Sequence, residues 1–186
     1  MAFPVPHTES LYTSLLALPE GYRGEIVGGR LYTSPRPAAK HVMVGSVLGA
    51  DLLNPFQRGL GGPGGWWILD EPEVHFVRNI EVVVPDLAGW TRERMPTLPD
   101  DHRFEIVPDW VCEILSPSTS AYDREIKMPA YAGHGVGWLW LIDPVVQRLE
   151  VYKNSDDSWE LKSEFNADDS INAPPFADVT LRPPWL

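Results

Sequence analysis

A glutamate stands inside a strand-like apolar run, where a carboxylate needs a partner. In the run 109–116, "DWVCEILS", strand alternation places Glu113 on the same face as Val111 and Leu115. An ionised carboxylate on such a face costs several kcal/mol unless it is paired or binds a metal. The run therefore predicts a partner for Glu113, and the lysine of the next segment, Lys127, is a candidate for it.

A second acid, Asp86, closes another buried-type run and shares strand parity with Ile80, Val82 and Val84. If the two strands lie side by side, Asp86 and Glu113 meet. Two carboxylates, a main-chain carbonyl such as that of Ile114, and water form an all-oxygen site that suits Mg²⁺ or Mn²⁺ better than zinc. Such an ion can lower the pKa of a bound water and neutralise phosphate charge. Asp86 could also be only a residue of a turn at a strand end.

Lys127 follows Asp123 at the i, i+4 spacing that keeps two side chains on one helix face. Its ammonium group could stabilise the charge that develops on a phosphoryl group, or orient an attacking water. The simpler alternative is an ion pair on a helix surface. Glu73 and His75 share a strand face, but no pattern assigns either residue to the same site.

Hydrophobic periodicity predicts the elements that must position these residues. Helices are predicted at 9–18, 40–57 and 121–135, the last of them continuing through Pro129 and ending at His134-Gly135. Gly28-Gly29 predicts a tight hairpin. Strands are predicted at 66–76, 79–90, 109–116, 137–143, 148–153 and 158–165, and the β-branched run of the second ends on Pro85-Asp86. This order predicts a single α/β domain over 1–186, with a mixed sheet flanked by helices.

Composition narrows the functional classes. The 186 residues contain one cysteine, Cys112, which excludes a disulfide framework and a cysteine-based zinc site. Without a signal-like or membrane-spanning segment, a cytoplasmic location is expected. The net charge of −11 argues against nonspecific nucleic-acid binding. Basic residues nevertheless cluster in the first part of the chain, at Arg23, Arg30, Arg36, Lys40, Arg78, Arg92, Arg94 and Arg103.

Together these motifs resemble a known family. Pro85-Asp86, Glu113 in "CEILSPST", "DREIK" and "YAGHGVGWLWLIDP" are similar to the PD-(D/E)XK nuclease superfamily, and specifically to its restriction-endonuclease family known as domain of unknown function 820. The resemblance runs from about Tyr22 to about Leu181. In the standard motif the lysine lies two residues after the acid, where this chain has Leu115. The resembled family commonly moves the lysine to the following helix, which matches Lys127.

The resemblance implies a restriction-endonuclease-like fold and a magnesium- or manganese-dependent endonuclease that hydrolyses DNA phosphodiester bonds. It implies catalytic roles for Asp86, Glu113 and Lys127, and the role of an early acidic residue near the metal for Glu25. His41 falls where the family often has a histidine that opens its long helix. Glu25 could instead face solvent from a hairpin strand, and His41 could cap or pack. A homodimer would match a two-fold duplex site. The alternatives are a noncatalytic nucleic-acid- or protein-binding module, which the net charge favours, and hydrolysis of another phosphate ester.

Overall fold

The computed structural model describes residues 10–185, and within them the chain alternates between helices and strands before it ends in a meander. The strands are β1 (Tyr22–Val27), β2 (Arg30–Pro35), β3 (Trp66–Asp70), β4 (Glu73–Val77), β5 (Glu81–Val83), β6 (Leu87–Thr91), β7 (Arg103–Phe104), β8 (Trp110–Ile114), β9 (Trp138–Asp143), β10 (Arg148–Ser155) and β11 (Ser158–Phe165). The helices are α1 (Leu11–Leu16), α2 (Ala39–Leu52), α3 (Ser120–Tyr122) and α4 (Met128–Gly133), with π-helical turns at Leu53–Gln57 and Asp123–Lys127.

The strands form two mixed sheets. The first has the order β2-β1-β5-β4-β7 and the second the order β11-β10-β9-β8-β6-β3. Within the described residues, β4 with β7 and β8 with β9 are the parallel pairs, and the other named pairs are antiparallel. The predicted α/β class with helices flanking mixed β-structure is confirmed, but the strands are divided between two sheets rather than joined in one.

Two predicted strands are each broken in two, and this creates the second sheet. The run 66–76 separates into β3 and β4 around Glu71, which adopts a positive φ of 47°. The run 79–90 separates into β5 and β6 around Pro85-Asp86, since proline cannot donate a ladder hydrogen bond. β4 and β5 belong to the first sheet, whereas β3 and β6 belong to the second. Asp86 therefore lies where the chain crosses between the sheets. Ile80, expected on its buried face, is 59% exposed.

The central strand β8 has the predicted alternation. All five of its residues are buried. Trp110, Cys112 and Ile114 pack in one core cluster together with the buried face of α2. Val111 and the following Leu115 pack in a second cluster, which contains residues of α4 and of the first sheet. Glu113 has the parity of this second face, so its carboxylate points toward the layer between the sheets.

The helical segment after β8 also follows the prediction, with one local change. Pro129 removes a backbone donor from the helix. Just before it, the N–H of Met128 bonds to the carbonyl of Asp123, five residues earlier, which makes a π-helical turn. The segment ends at Gly135, whose φ of +80° suits glycine. This wider turn carries both Asp123 and Lys127 toward β8.

The other local predictions are confirmed with small changes of boundary. The hairpin of β1 and β2 turns at Gly28-Gly29, which both have positive φ. The helix predicted at 40–57 is α2 with the π-helical turn that follows it, and the one at 9–18 is α1 over its described part. The three last predicted strands are β9, β10 and β11. Among residues 10–185, no helix has both the length and the apolar character needed to cross a bilayer.

Candidate active site

The structure brings every residue predicted for the site to one cleft of about 330 Å³. The cleft lies where β1, the β5–β6 crossover, β8 and the helical segment after β8 converge. The predicted residues that line it are Glu25, His41, Asp86, Glu113, Ile114 and Lys127. Residues separated by about 100 positions in the chain therefore share one cavity.

Glu113 is almost fully buried and has two partners on one oxygen. Its Oε1 lies 2.7 Å from Nζ of Lys127 and accepts a hydrogen bond from the hydroxyl of Tyr131. Burial raises the pKa of Glu113 well above its usual value, while the neighbouring Lys127 ammonium acts in the opposite direction. The predicted partner of the buried carboxylate is thus Lys127, and its second oxygen, Oε2, is not used by these two contacts.

Lys127 is itself buried and holds its charge through its acceptors. Nζ lies 2.7 Å from Glu113 Oε1, 3.0 Å from Glu25 Oε1 and 3.4 Å from the carbonyl oxygen of Val84. Burial lowers the pKa of Lys127, but Glu113 and Glu25 outweigh it, so that the pKa stands well above its usual value. The lysine is therefore a charged donor placed between two acids.

Asp86 is held in the crossover by both of its oxygens. Oδ1 lies 2.8 Å from Nε2 of His41, and Oδ2 accepts a hydrogen bond of 2.7 Å from the main-chain N–H of Ile114. Asp86 does occupy a turn at a strand end, as the simpler alternative proposed, yet its residue is only 9% exposed and lines the cleft. The contact with Ile114 links the crossover to the end of β8.

Glu25 reaches into the cleft from β1 and organises the same crossover. Its Oε1 accepts a hydrogen bond of 2.8 Å from the main-chain N–H of Val84, two residues before Asp86. Its side chain is 12% exposed, so the alternative in which Glu25 faces solvent is wrong. Glu25 thus joins Lys127 to the backbone that carries Asp86.

Comparison with known proteins identifies the family of the chain. A family model described as "Uma2: Putative restriction endonuclease" matches residues 11–183. The chain belongs to the Uma2 family. A similar solved structure, with 26% sequence identity and a TM-score of 0.71, is the crystal structure of a "putative nuclease belonging to DUF820" from Anabaena variabilis ATCC 29413. The likeness covers 92% of this chain and 93% of that one. No curated protein matches the chain.

The resemblance to a restriction-endonuclease-like family is thereby confirmed for this Uma2 protein. Membership of the wider PD-(D/E)XK superfamily and the catalytic role of the displaced Lys127 stay predictions. The division of the chain into one domain over 1–186 also stays a prediction.

In this Uma2 chain Asp123 also lines the cleft, and Tyr131 contacts the site through Glu113 without lining it. Asp123 is 5% exposed, and burial raises its pKa to about 6. The alternative of a helix-surface pair is wrong, because Lys127 is buried and pairs with Glu25 and Glu113. Tyr131 was not predicted. Its i, i+4 spacing from Lys127 was the signal that could have indicated it.

Glu73 and His75 lie in a different cluster. Nε2 of His75 is 2.7 Å from Glu73 Oε1, which also accepts a hydrogen bond of 2.7 Å from the hydroxyl of Tyr12. Nε2 of His102 approaches the same oxygen at 3.5 Å. Neither Glu73 nor His75 lines the cleft. Their shared strand face therefore reflects local packing between β4 and α1.

The donor set of the cleft suits a hard divalent cation. Among residues 10–185, no three His, Cys, Asp or Glu side chains are grouped as a metal site. Asp86 and Glu113 nevertheless offer carboxylate oxygens in one cleft, beside the backbone of Ile114. The buried acids of this cleft are Asp86, Glu113 and Asp123, and Lys127 is its one buried cation among the described residues. The buried groups of the cleft thus include more carboxylates than cations, an excess of acid that a divalent ion would reduce.

Proposed function

We propose that the protein is a metal-dependent endonuclease that hydrolyses phosphodiester bonds of DNA. The observation that supports this most directly is the Lys127 ammonium, held 2.7 Å from the Glu113 carboxylate in the cleft that also contains Asp86. Nuclease function as such is supported by the Uma2 family and by the similar solved structure. Hydrolysis of DNA through these particular residues is the finer proposal.

Asp86 and Glu113, with the main-chain carbonyl of Ile114, would hold Mg²⁺ or Mn²⁺. When bound, such an ion supplies Lewis-acid chemistry, since it lowers the pKa of a water and neutralises charge on the phosphate. His41 and the N–H of Ile114 hold the Asp86 carboxylate in place. Tyr131 does the same for Glu113, and burial raises the pKa of Tyr131 so that it remains a neutral donor.

Lys127 supplies the positive charge that the reaction needs inside the cleft. Its ammonium group stabilises the charge that develops on the phosphoryl oxygens, or it orients the attacking water. Glu25 fixes the position of Lys127 relative to the Asp86 crossover, because it contacts both Lys127 and the backbone of Val84. Arg23 and Arg36 also line the cleft, and they provide phosphate-binding groups despite the net charge of −11.

Cleavage assays test this function. We expect the wild-type protein to cut supercoiled plasmid or single-stranded DNA with Mg²⁺ or Mn²⁺ and to be inactive with EDTA. Asp86→Asn keeps the side-chain shape but removes a metal-binding charge, so activity should fall at least about 100-fold, equivalent to about 2.7 kcal/mol of lost stabilisation. RNA of the same sequence serves as the competing substrate. Normal cutting by Asp86→Asn would show that the assigned site is wrong.

A well-folded wild-type protein that cuts none of these substrates would instead support a noncatalytic binding module. Release of phosphate from small esters without strand cutting would indicate hydrolysis of another phosphate ester. A homodimer remains part of the proposal on symmetry grounds, because two-strand cutting is matched by a two-fold protein.

His41→Ala tests the support of Asp86 separately from catalysis. Loss of the 2.8 Å contact frees the Asp86 carboxylate, so the affinity for Mn²⁺ should fall about 10- to 100-fold. Titration calorimetry without DNA measures this directly. His102→Ala is the matched control, because His102 is 57% exposed and lies in the separate cluster around Glu73. Equal Mn²⁺ affinity in His41→Ala and wild type would contradict a positioning role for His41.

A further inference from the structure

A second cavity adjoins the catalytic cleft. It has a volume of about 360 Å³ and lies between the β1–β2 hairpin and the segment that follows β8. The two cavities adjoin, because six residues line both of them: Glu25, Ser34, Pro35, Ser118, Thr119 and Tyr122. A strand whose phosphate lies in the cleft therefore has a neighbouring space for the group attached to that phosphate. We call this space the side pocket.

Two tyrosines from different elements form a wall of the side pocket. Tyr32 comes from β2 and Tyr122 from α3, and their ring centroids are 4.8 Å apart with an interplanar angle of 37°. Ile126 and Pro35 add apolar surface to the same lining. Aromatic walls of this kind bind flat rings by stacking, and they accept any base because every base has a π-face.

The charges of the side pocket differ from those of the cleft. The cleft lining includes Arg23, Arg36 and Lys127. The lining of the side pocket contains no Lys, Arg or His in the described part of the chain, and its charged residues are Glu25 and Glu125. Carboxylates repel a phosphate, whereas they accept hydrogen bonds from the exocyclic amino groups of bases. The pocket thus selects a neutral flat ring with N–H donors.

We propose that the side pocket binds a nucleobase of the substrate strand, next to the phosphate that is cut. This rests on the proposed nuclease function and extends it to the form of the substrate. A base inside a duplex is stacked and paired, so it must be single-stranded or turned out of the helix to reach Tyr32 and Tyr122. The enzyme consequently prefers DNA that is unpaired at the site of cutting.

Binding of short strands tests the proposal without catalysis. The probes are a fluorescent deoxycytidine hexanucleotide and the same backbone with every base removed, both measured by fluorescence anisotropy in EDTA. Wild type should bind the base-bearing strand about 10-fold or more tightly than the abasic strand, as expected for stacking on an aromatic side chain. Tyr32→Ala and Tyr32→Leu should lose most of this preference, and Tyr32→Phe should keep it.

Matched controls separate stacking from a general structural effect. Tyr22→Ala removes a tyrosine of β1 that is 56% exposed and lines neither cavity, and it should leave the preference unchanged. Tyr32→Leu fills more of the wall than alanine but has no ring, so it is the variant to measure if Tyr32→Ala folds poorly. Equal binding of both probes by wild type, or equal weakening of both by Tyr32→Leu, would overturn the proposal.

Two parallel measurements distinguish its failure from that of the nuclease proposal. Metal-dependent cutting without base-dependent binding would reject the nucleobase pocket and retain the nuclease function. Base-dependent binding without cutting would reject the nuclease function and retain the nucleobase pocket. Deoxycytidine monophosphate is the competitor that tests for a free nucleotide as the ligand. Competition at the same concentration as the hexanucleotide would overturn assignment of the pocket to a strand, and competition only at far higher concentration supports it.

Discussion

Glu113→Gln should reduce metal-dependent cleavage at least about 100-fold, because it removes a charged ligand from the cleft, and that change in rate corresponds to about 2.7 kcal/mol of lost stabilisation. Its fold should nevertheless persist. Lys127 keeps its contact with Glu25 at 3.0 Å, and the amide oxygen of the introduced glutamine can still accept a hydrogen bond from the Tyr131 hydroxyl. Plasmid cleavage rates, read beside circular dichroism and Mn²⁺ calorimetry, measure the two effects independently.

A second buried glutamate provides the control for this variant. Glu150 is 6% exposed and is paired with Arg124 through contacts of 2.8 and 2.9 Å, away from the cleft. Glu150→Gln changes charge and volume in the same way, so its cleavage rate should match that of wild type. Full activity in Glu113→Gln, or equal loss in both variants, would contradict the assignment of Glu113 to the metal site.

Lys127→Met should be the substitution in the cleft that costs most stability. It leaves the carboxylates of Glu25 and Glu113, which now share one ammonium, facing each other without a cation. Removal of one partner from a buried ion pair costs about 3–5 kcal/mol, because the remaining charge is buried without compensation. Urea denaturation should therefore show a free energy of unfolding lower by this amount, while the loss of the charged donor also abolishes cleavage.

The cause of that loss can be tested by removing the facing charge as well. In the double variant Lys127→Met/Glu113→Gln, much of the lost stability should return, since the uncompensated carboxylate is gone. Lys162→Met is the control, because this lysine pairs with Glu160 at the surface, where ion pairs contribute little. If Lys127→Met unfolds at the wild-type urea concentration, the buried charge network does not stabilise the fold.

The different effects on stability expected of Glu113→Gln and Lys127→Met have one physical origin. The cleft contains more buried acids than buried cations, so neutralising one acid relieves repulsion while neutralising the lysine increases it. Such an excess costs stability in the absence of a cation, and it is the same property that allows the site to attract one. The cleft is thus better suited to binding an ion than to stabilising the fold.

Local sequence patterns determined the parts of this protein that depend on near neighbours. Strand alternation placed Glu113 on a buried face and required a partner for it, and the structure supplies Lys127. Proline at position 85 marked the break that carries Asp86, and glycines marked the hairpin. These features follow from backbone geometry and periodicity, which act over a few residues.

Only the tertiary structure decided which distant residues meet. It buried Asp123, turned Glu25 inward onto the N–H of Val84, and added Tyr131 to Glu113. It also divided the strands into two sheets, which brings the β1–β2 hairpin beside the helical segment and forms the side pocket. Strand pairing and the packing between sheets depend on contacts between residues far apart in the chain. Local periodicity does not encode those contacts, since it specifies which face of a strand is buried but not what covers it.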